Sequence, residues 1–194
     1  TALLLSFISS ISYAEQSPVP KKEIQFTLSS KAIASAKTAS MYIEKNTPES
    51  IQKGILLLES ILSELSFKRL DISVKVPIFL TLANGYEKKK EYEKEEKLLL
   101  ELLLHEHYQP YIVQLRVKLI RTYLLQAKLN DADVSLRILL ELPTTQFTRE
   151  EREEIAYVLE WFARSYERNI QLAHANMKAG KYTQAISLYN SILQ

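Results

Sequence analysis

The sequence predicts an all-α protein built from a series of helical hairpins. From about residue 29 onward, apolar residues recur every three or four positions, and no stretch alternates as a half-buried strand does. Only 3 of the 194 residues are Gly, and most of the acids are Glu, which tolerates helix interiors better than Asp. Short turn signals separate the helical segments.

Residues 1–14 have the features of a secretory signal peptide. An apolar run is followed by Ser12 and Ala14, small residues that suit a signal peptidase site. The run is shorter than the ~20 residues that span a bilayer. The alternative interpretation of this segment is the start of an amphipathic or buried helix.

Residues 15–28 are predicted to be a linker, because Pro18 and Pro20 block a helix and most of their neighbours are polar. The helical domain is predicted over residues 29–194. Its last hairpin has no following helix to cover its outward face, which helical arrays ordinarily need. We therefore expect the domain to continue beyond this sequence, or to be covered there by a partner or a second copy.

Turn residues place the helix boundaries. Thr47 and Pro48 are expected to cap and open a helix. A break is expected over 66–77, because Val76 and Pro77 disfavour helix, although Pro77 could also open one. Further breaks are expected at 107–110, 129–131 and 142–145.

The longest predicted helix follows Thr148 and covers about residues 149–179. Four glutamates occupy its first two turns, where the positive end of the helix favours acids, and no Pro or Gly interrupts it before Gly180. Trp161 and Phe162 are expected to pack on the preceding hairpin or against a partner, and core packing is the favoured interpretation of Trp161.

The last hairpin has a characteristic spacing of small and large residues. Gly180 ends one helix, Tyr182 follows, Ala185 is the small residue, and Tyr189 and Ile192 are the large residues beyond it. Two helices approach closely only where one contributes a small side chain, with large side chains filling the space beside it. This pattern resembles the tetratricopeptide repeat family.

Three earlier segments fit the same template less closely. Glu95 stands at the small position of one of them, which departs from the family pattern. The resemblance implies an all-α, tetratricopeptide-like solenoid of about three to four hairpins, and a generic bundle of helical hairpins is the alternative. The matching residues are Ile51, Gly54, Leu58 and Ile61; Tyr92, Leu99 and Leu102; and Leu129, Ala132, Leu136 and Leu139, with Tyr123 before them and Pro143 after them.

The composition argues against an enzyme. The chain has no Cys, and its few glycines do not form a dinucleotide-binding or phosphate-binding loop. His105 and His107 point in different directions near a helix end and lack a third ligand, and His174 is not paired with a Ser or Cys nucleophile by any recognisable motif. No catalytic, metal-binding or cofactor-binding residue is predicted.

The resemblance instead implies a scaffold that binds another protein. Family members hold peptides or helices on the face made by the first helix of each hairpin. The family's chaperone-binding subtype is not expected, because Leu80 and Val117 stand where cations would be needed. The predicted partner-binding groove consists of Asn84, Lys88, Arg121, His174 and Lys178.

An exported, periplasmic or envelope-associated bacterial protein fits the absence of Cys and of Asn-x-Ser/Thr sites. The expected partner is a protein, either within a large envelope complex or a second copy. The net charge of +2 does not indicate nucleic acid, and membrane contact is expected only through an uncleaved N-terminal segment, if at all. A second hypothesis is an accessory helical domain of an envelope enzyme whose catalytic part lies beyond residue 194.

Overall fold

The computed structural model describes residues 21–64, 67–143 and 147–193, so the predicted signal segment 1–14 lies outside the described residues. The described part is helical and contains no strand, which confirms the predicted all-α, helical-repeat-like class. Two 3₁₀ turns, Phe67–Arg69 and Glu106–Tyr111, accompany the α-helices. The α-helices are α1 (Lys21–Glu44), α2 (Pro48–Ser63), α3 (Ile72–Lys89), α4 (Tyr92–Leu103), α5 (Ile112–Leu125), α6 (Leu129–Leu140), α7 (Arg149–Lys178) and α8 (Tyr182–Leu193).

The helices pack as consecutive antiparallel-type hairpins, α1/α2, α3/α4, α5/α6 and α7/α8. Each helix contacts the next one along the chain. Contacts also join α1 to α3 and α5 to α7, which are first helices of neighbouring hairpins, and α6 to α8, which are second helices. This layering of similar units is the arrangement of a helical repeat.

Caps define the starts of α2 and α7 as the sequence predicts. The Thr47 hydroxyl accepts a hydrogen bond from the Ser50 amide at 3.2 Å, and Pro48 occupies the first turn. Thr148 caps α7 through the amide of Glu151. Helix α7 is continuous for 30 residues, or about 45 Å at ~1.5 Å per residue, which confirms the single long helix.

Two predicted boundaries differ from the structure. Helix α1 begins at Lys21, so residues 21–28 of the predicted linker are helical, while residues 15–20 lie outside the described residues. Helix α3 begins at Ile72 and contains Pro77, whereas a break was expected over 66–77. Asp71 caps this helix and Val76 beside the proline is only 1% exposed, so burial favours the helix there.

Smaller differences occur at two later turns. Helix α4 ends at Leu103, a few residues before the expected break at 107–110. The separate 3₁₀ turn Glu106–Tyr111 covers the region of that break. Residue 129 already belongs to α6, and the turn before it places Ala127 in the left-handed region at φ 57°. Both differences are shifts of a few residues within correctly ordered elements.

The small positions of the repeat template are buried at helix–helix contacts. Ala132 and Ala185 are 0% exposed, and so is Glu95. A Cβ on Gly54 would lie 2.8 Å from the carbonyl oxygen of Ala39, so α2 and α1 approach closely only because this residue is Gly. In the part of the chain that the structure describes, two apolar clusters form the core, one within α1–α3 and one from α3 to α7.

None of the helices in the described part of the chain combines the length and apolarity needed to cross a membrane.

Candidate interaction groove

The first helices α3, α5 and α7 line a cavity of about 530 Å³, which we call the first-helix groove. Helix α3 contributes two residues, α5 contributes four, and the start of α7 contributes the remainder. The second helices of the hairpins contribute none of them. The lining residues are Leu80, Asn84, Gln114, Val117, Lys118, Arg121, Thr148, Glu150, Glu151 and Glu154.

A cluster of charges lies behind the α5 wall of the groove. Lys118 forms ion pairs with Glu87 of α3 and, at 3.2 Å from Nζ to Oε1, with Glu95 of α4. Arg121 Nη2 lies 3.4 Å from Glu87 Oε1. The two cations of the α5 wall therefore already have acidic partners within the fold.

Glu95 is the most deeply buried member of this cluster. Its side chain is 0% exposed, and the ammonium group of Lys118 is the cation that lies within ion-pair distance of it. Burial raises the pKa of Glu95 to about 7, and the nearby charge of Lys118 opposes that shift only in part. The Glu95 carboxyl group therefore changes its charge near neutral pH. Glu87, the other acid paired with Lys118, is partly exposed to solvent.

The opposite wall of the groove is acidic. Glu150, Glu151 and Glu154 come from the first turns of α7. Glu151 reaches back to the Thr148 amide at 2.9 Å and completes a capping box, so it has a structural role. Glu150 and Glu154 are exposed and available to a cationic partner.

The acidic wall continues along α7 into an aromatic and basic surface. A cavity of about 350 Å³ extends the groove to Tyr157, and a further one of about 440 Å³ lies beyond it. The rings of Tyr157 and Trp161 are 6.0 Å apart and inclined at 62°. Trp161 is half-buried and packs against the core, as expected, while Tyr157 is 53% exposed. The further cavity is lined by Tyr157, Trp161, Arg164, Ser165 and Arg168.

The five residues predicted for the partner-binding groove do not form one site. Asn84 and Arg121 line the first-helix groove together. Lys88 donates to the Ile43 carbonyl oxygen at 3.1 Å and so holds the end of α1. His174 contacts Tyr189 of α8 with ring centroids 5.9 Å apart. The fifth residue, Lys178, is exposed in the last turn of α7, away from the groove.

Several groove residues were missed from the sequence. The position of the glutamates after Thr148 predicts a capping role for them, but Glu150 and Glu154 also form a wall of the groove. Tyr157 and Trp161 follow them at helical spacing, and this spacing was the available signal that all four share a face of α7. Leu80 and Val117, which stand where the chaperone-binding subtype would have cations, also line the groove.

A separate cavity of about 590 Å³ lies between α6 and α7. Its wall combines Val134, Phe162 and Tyr166 with Arg137 and its ion-pair partner on α6. It shares no lining residue with the first-helix groove. Among the described residues, no cluster of three or more His, Asp or Glu side chains is arranged to hold a metal ion.

No family model matches the chain, and comparisons with curated proteins and with solved structures found no match either.

Proposed function

We propose that this protein is a non-enzymatic scaffold that binds a segment of another protein along the first-helix groove. The observation that carries this proposal is the groove itself, a continuous surface from Asn84 on α3, across Arg121 on α5, to Tyr157 and Trp161 on α7. Tyr, Trp and Arg are the side chains that most often dominate protein interfaces.

The charge distribution favours a protein partner over a polyanion. The cations of the α5 wall are paired with Glu87 and Glu95, while the facing wall carries the exposed acids Glu150 and Glu154. A nucleic acid would meet repulsion from Glu150 and Glu154 along the length of the groove. A polypeptide can present both signs of charge and an apolar side chain within one short segment.

The proposal further specifies that the scaffold is a tetratricopeptide-like array and that it is exported to the periplasm or cell envelope. The hairpin layering and the small residues Ala132 and Ala185 support the first part. The composition of residues 1–14 supports the second. In this proposal the protein brings components of an envelope assembly together, and the assembly includes other proteins or further copies of the chain.

The alternative is an accessory helical domain of a larger envelope enzyme with its catalytic part beyond residue 194. The exposed apolar residues of the last hairpin favour it, because a following domain of the same polypeptide could cover them. They include Met177, Tyr182 and Ile186, which are 44%, 59% and 55% exposed.

Site-specific photo-crosslinking in the native host tests the proposal. A photoreactive amino acid replaces Asn84 or Tyr157 in the groove, and a control replaces the exposed Lys97 on the second helix α4. Both groove positions should cross-link the same segment of one partner protein, identified by mass spectrometry of the joined peptides. The Lys97 control should not.

The outcomes separate the two functions. Intermolecular products of higher mass at both groove positions support the scaffold. Cross-links within one polypeptide, joining the groove to residues after 194, support the accessory domain. Equal labelling from the groove and from Lys97 contradicts a dedicated groove.

A further inference from the structure

One face of α7 carries acidic, aromatic and basic side chains in a fixed order. The members are three or four residues apart, so they form a single line along the helix. We call this line the α7 stripe. It consists of Glu150, Glu154, Tyr157, Trp161, Arg164 and Arg168.

The two ends of the α7 stripe have opposite, unneutralised charge. Among the described residues, Glu150, Glu154 and Arg168 have no ion-pair partner, whereas Arg164 pairs with Glu160 at 2.8 Å. Glu154 and Arg168 are both exposed. They are separated by four turns of α7, about 21 Å at ~1.5 Å per residue.

The centre of the α7 stripe is apolar. The aromatic pair Tyr157 and Trp161 lies between the two charged ends, and Tyr157 leaves half of its surface exposed. Trp161 is anchored against the core, which limits its movement. A rigid aromatic pair loses little conformational entropy when a partner side chain covers it.

We propose that the α7 stripe docks an amphipathic helix of the partner protein, with a basic residue at one end, an apolar anchor at its centre and an acidic residue at the other end. The proposal rests on the scaffold function above and specifies the partner's chemistry. The partner's basic end meets Glu150 and Glu154, its anchor covers Tyr157, and its acidic end meets Arg168.

A helix fits this surface better than an extended strand does. The described residues offer no strand edge to which a peptide could add by backbone hydrogen bonds. A partner helix lying beside α7 has the same rise per residue as α7. Its side chains at intervals of seven residues can therefore face Glu154, Trp161 and Arg168, which are also seven residues apart. Charge order then selects the partner and fixes its direction.

Peptide titration tests the partner's chemistry. Three synthetic helical peptides of about 18 residues (~27 Å) span the stripe and share a Leu anchor. One has a Lys pair at one end and a Glu pair at the other, one has Lys at both ends, and one has Glu at both ends. Trp161 is the only Trp of the chain, so its fluorescence reports binding at the site. The peptide with mixed ends should bind on the order of tenfold more tightly than either of the others.

A charge reversal makes the test specific. Arg168→Glu gives the stripe acids at both ends, and the preference should move to the peptide with Lys at both ends by on the order of tenfold. Arg137→Glu is the matched control, since Arg137 is an exposed arginine on α6 outside the stripe. It should leave the order of the three peptides unchanged. Circular dichroism verifies that both variants remain helical.

Three results would overturn the inference. The first is equal affinity for the three peptides, and the second is a preference that Arg168→Glu does not change. The third is a Trp161 signal that depends on protein concentration alone together with a dimer in sedimentation, which would place a second copy on the stripe. If photo-crosslinking still finds a partner at Asn84 and Tyr157, the scaffold function stands and only the partner's chemistry is wrong.

Discussion

Lys118 of α5 and Glu95 of α4 form an ion pair in the interior, with Lys118 Nζ 3.2 Å from Glu95 Oε1. Glu95 occupies a position at which the other hairpins have a small residue, and it is nevertheless fully buried. Lys118 is also paired with Glu87, so one cation serves two acids. Burial of a charge that is only partly compensated costs free energy, and this cost depends on pH.

Glu95→Gln should remove this pH dependence. Because burial raises the pKa of Glu95 from 4.5 to about 7, the folded protein keeps a proton that the unfolded chain releases over that interval. The contribution of protonated Glu95 to the free energy of unfolding is therefore lost as pH rises from about 4.5 to about 7. Relative to Glu95→Gln, the free energy of unfolding of the wild type should fall by on the order of 2–3 kcal/mol between pH 4.5 and pH 8.

Urea denaturation at several pH values measures the difference between the two proteins. Other acids have lowered pKa values, such as Glu91 beside Lys89 and Lys94, and their contribution cancels in the comparison. Glu101→Gln, at an exposed glutamate of α4, is the matched control and should change the free energy of unfolding by no more than about 0.5 kcal/mol. A Glu95→Gln difference that is constant with pH would show that the pKa of Glu95 is the same in the folded and unfolded states.

The sequence predicts the elements whose signals are local. Thr47 and Thr148 carry their capping information in the next three residues, and α7 contains no residue that would break it. The start of α3 depends instead on Val76 being buried against other helices, a tertiary effect that outweighs the local preference near Pro77. Propensity alone therefore predicts a break where packing produces a helix.

The groove could be predicted only in part for a similar reason. Asn84 and Arg121 lie on first helices, and their convergence follows from the repeat pattern. Lys88 instead donates a hydrogen bond to the end of α1, and the ring of His174 contacts Tyr189 of α8. These contact partners lie on other helices. The spacing of residues within α3 or α7 therefore does not reveal which side chains form contacts inside the fold and which remain on the groove surface.

Gly54→Ala should destabilise the first hairpin. Ala is ordinarily favoured over Gly in a helix by about 1 kcal/mol. Here the new Cβ would lie 2.7 Å from Ile43 Cγ1 and 2.8 Å from the backbone oxygen of Ala39. The helices must separate, and we expect a net loss of on the order of 1–3 kcal/mol in urea denaturation. Ser60→Ala on the exposed face of α2 is the control, and a stabilised Gly54→Ala protein would contradict the close approach of α1 and α2.

Thr148→Ala should fray the start of α7. The Thr148 hydroxyl accepts from the Glu151 amide at 3.1 Å, and the variant leaves that donor without its capping partner. The expected cost is about 1 kcal/mol, with faster amide hydrogen exchange at Glu151. Thr183→Ala, at an exposed threonine of α8, should leave this exchange unchanged. Unaltered exchange in Thr148→Ala would show that the capping box contributes little.

The export proposal has a direct measurement. If residues 1–14 are a cleaved signal peptide, the native protein begins at Glu15. Intact-mass measurement of protein purified from its host identifies the first residue. A mass that includes residues 1–14 would contradict cleavage and favour an uncleaved N-terminal segment.

Ala185→Leu tests the packing of the last hairpin. Ala185 is 0% exposed on α8, at the position that lets α8 approach α7. Three additional carbon atoms cannot fit without moving the helices apart, so the free energy of unfolding should fall by on the order of 1–3 kcal/mol. Ala156→Leu, at an exposed position of α7, makes the same chemical change without this constraint and should be close to neutral. If both variants unfold at the same urea concentration as the wild type, Ala185 does not form the contact between the two helices.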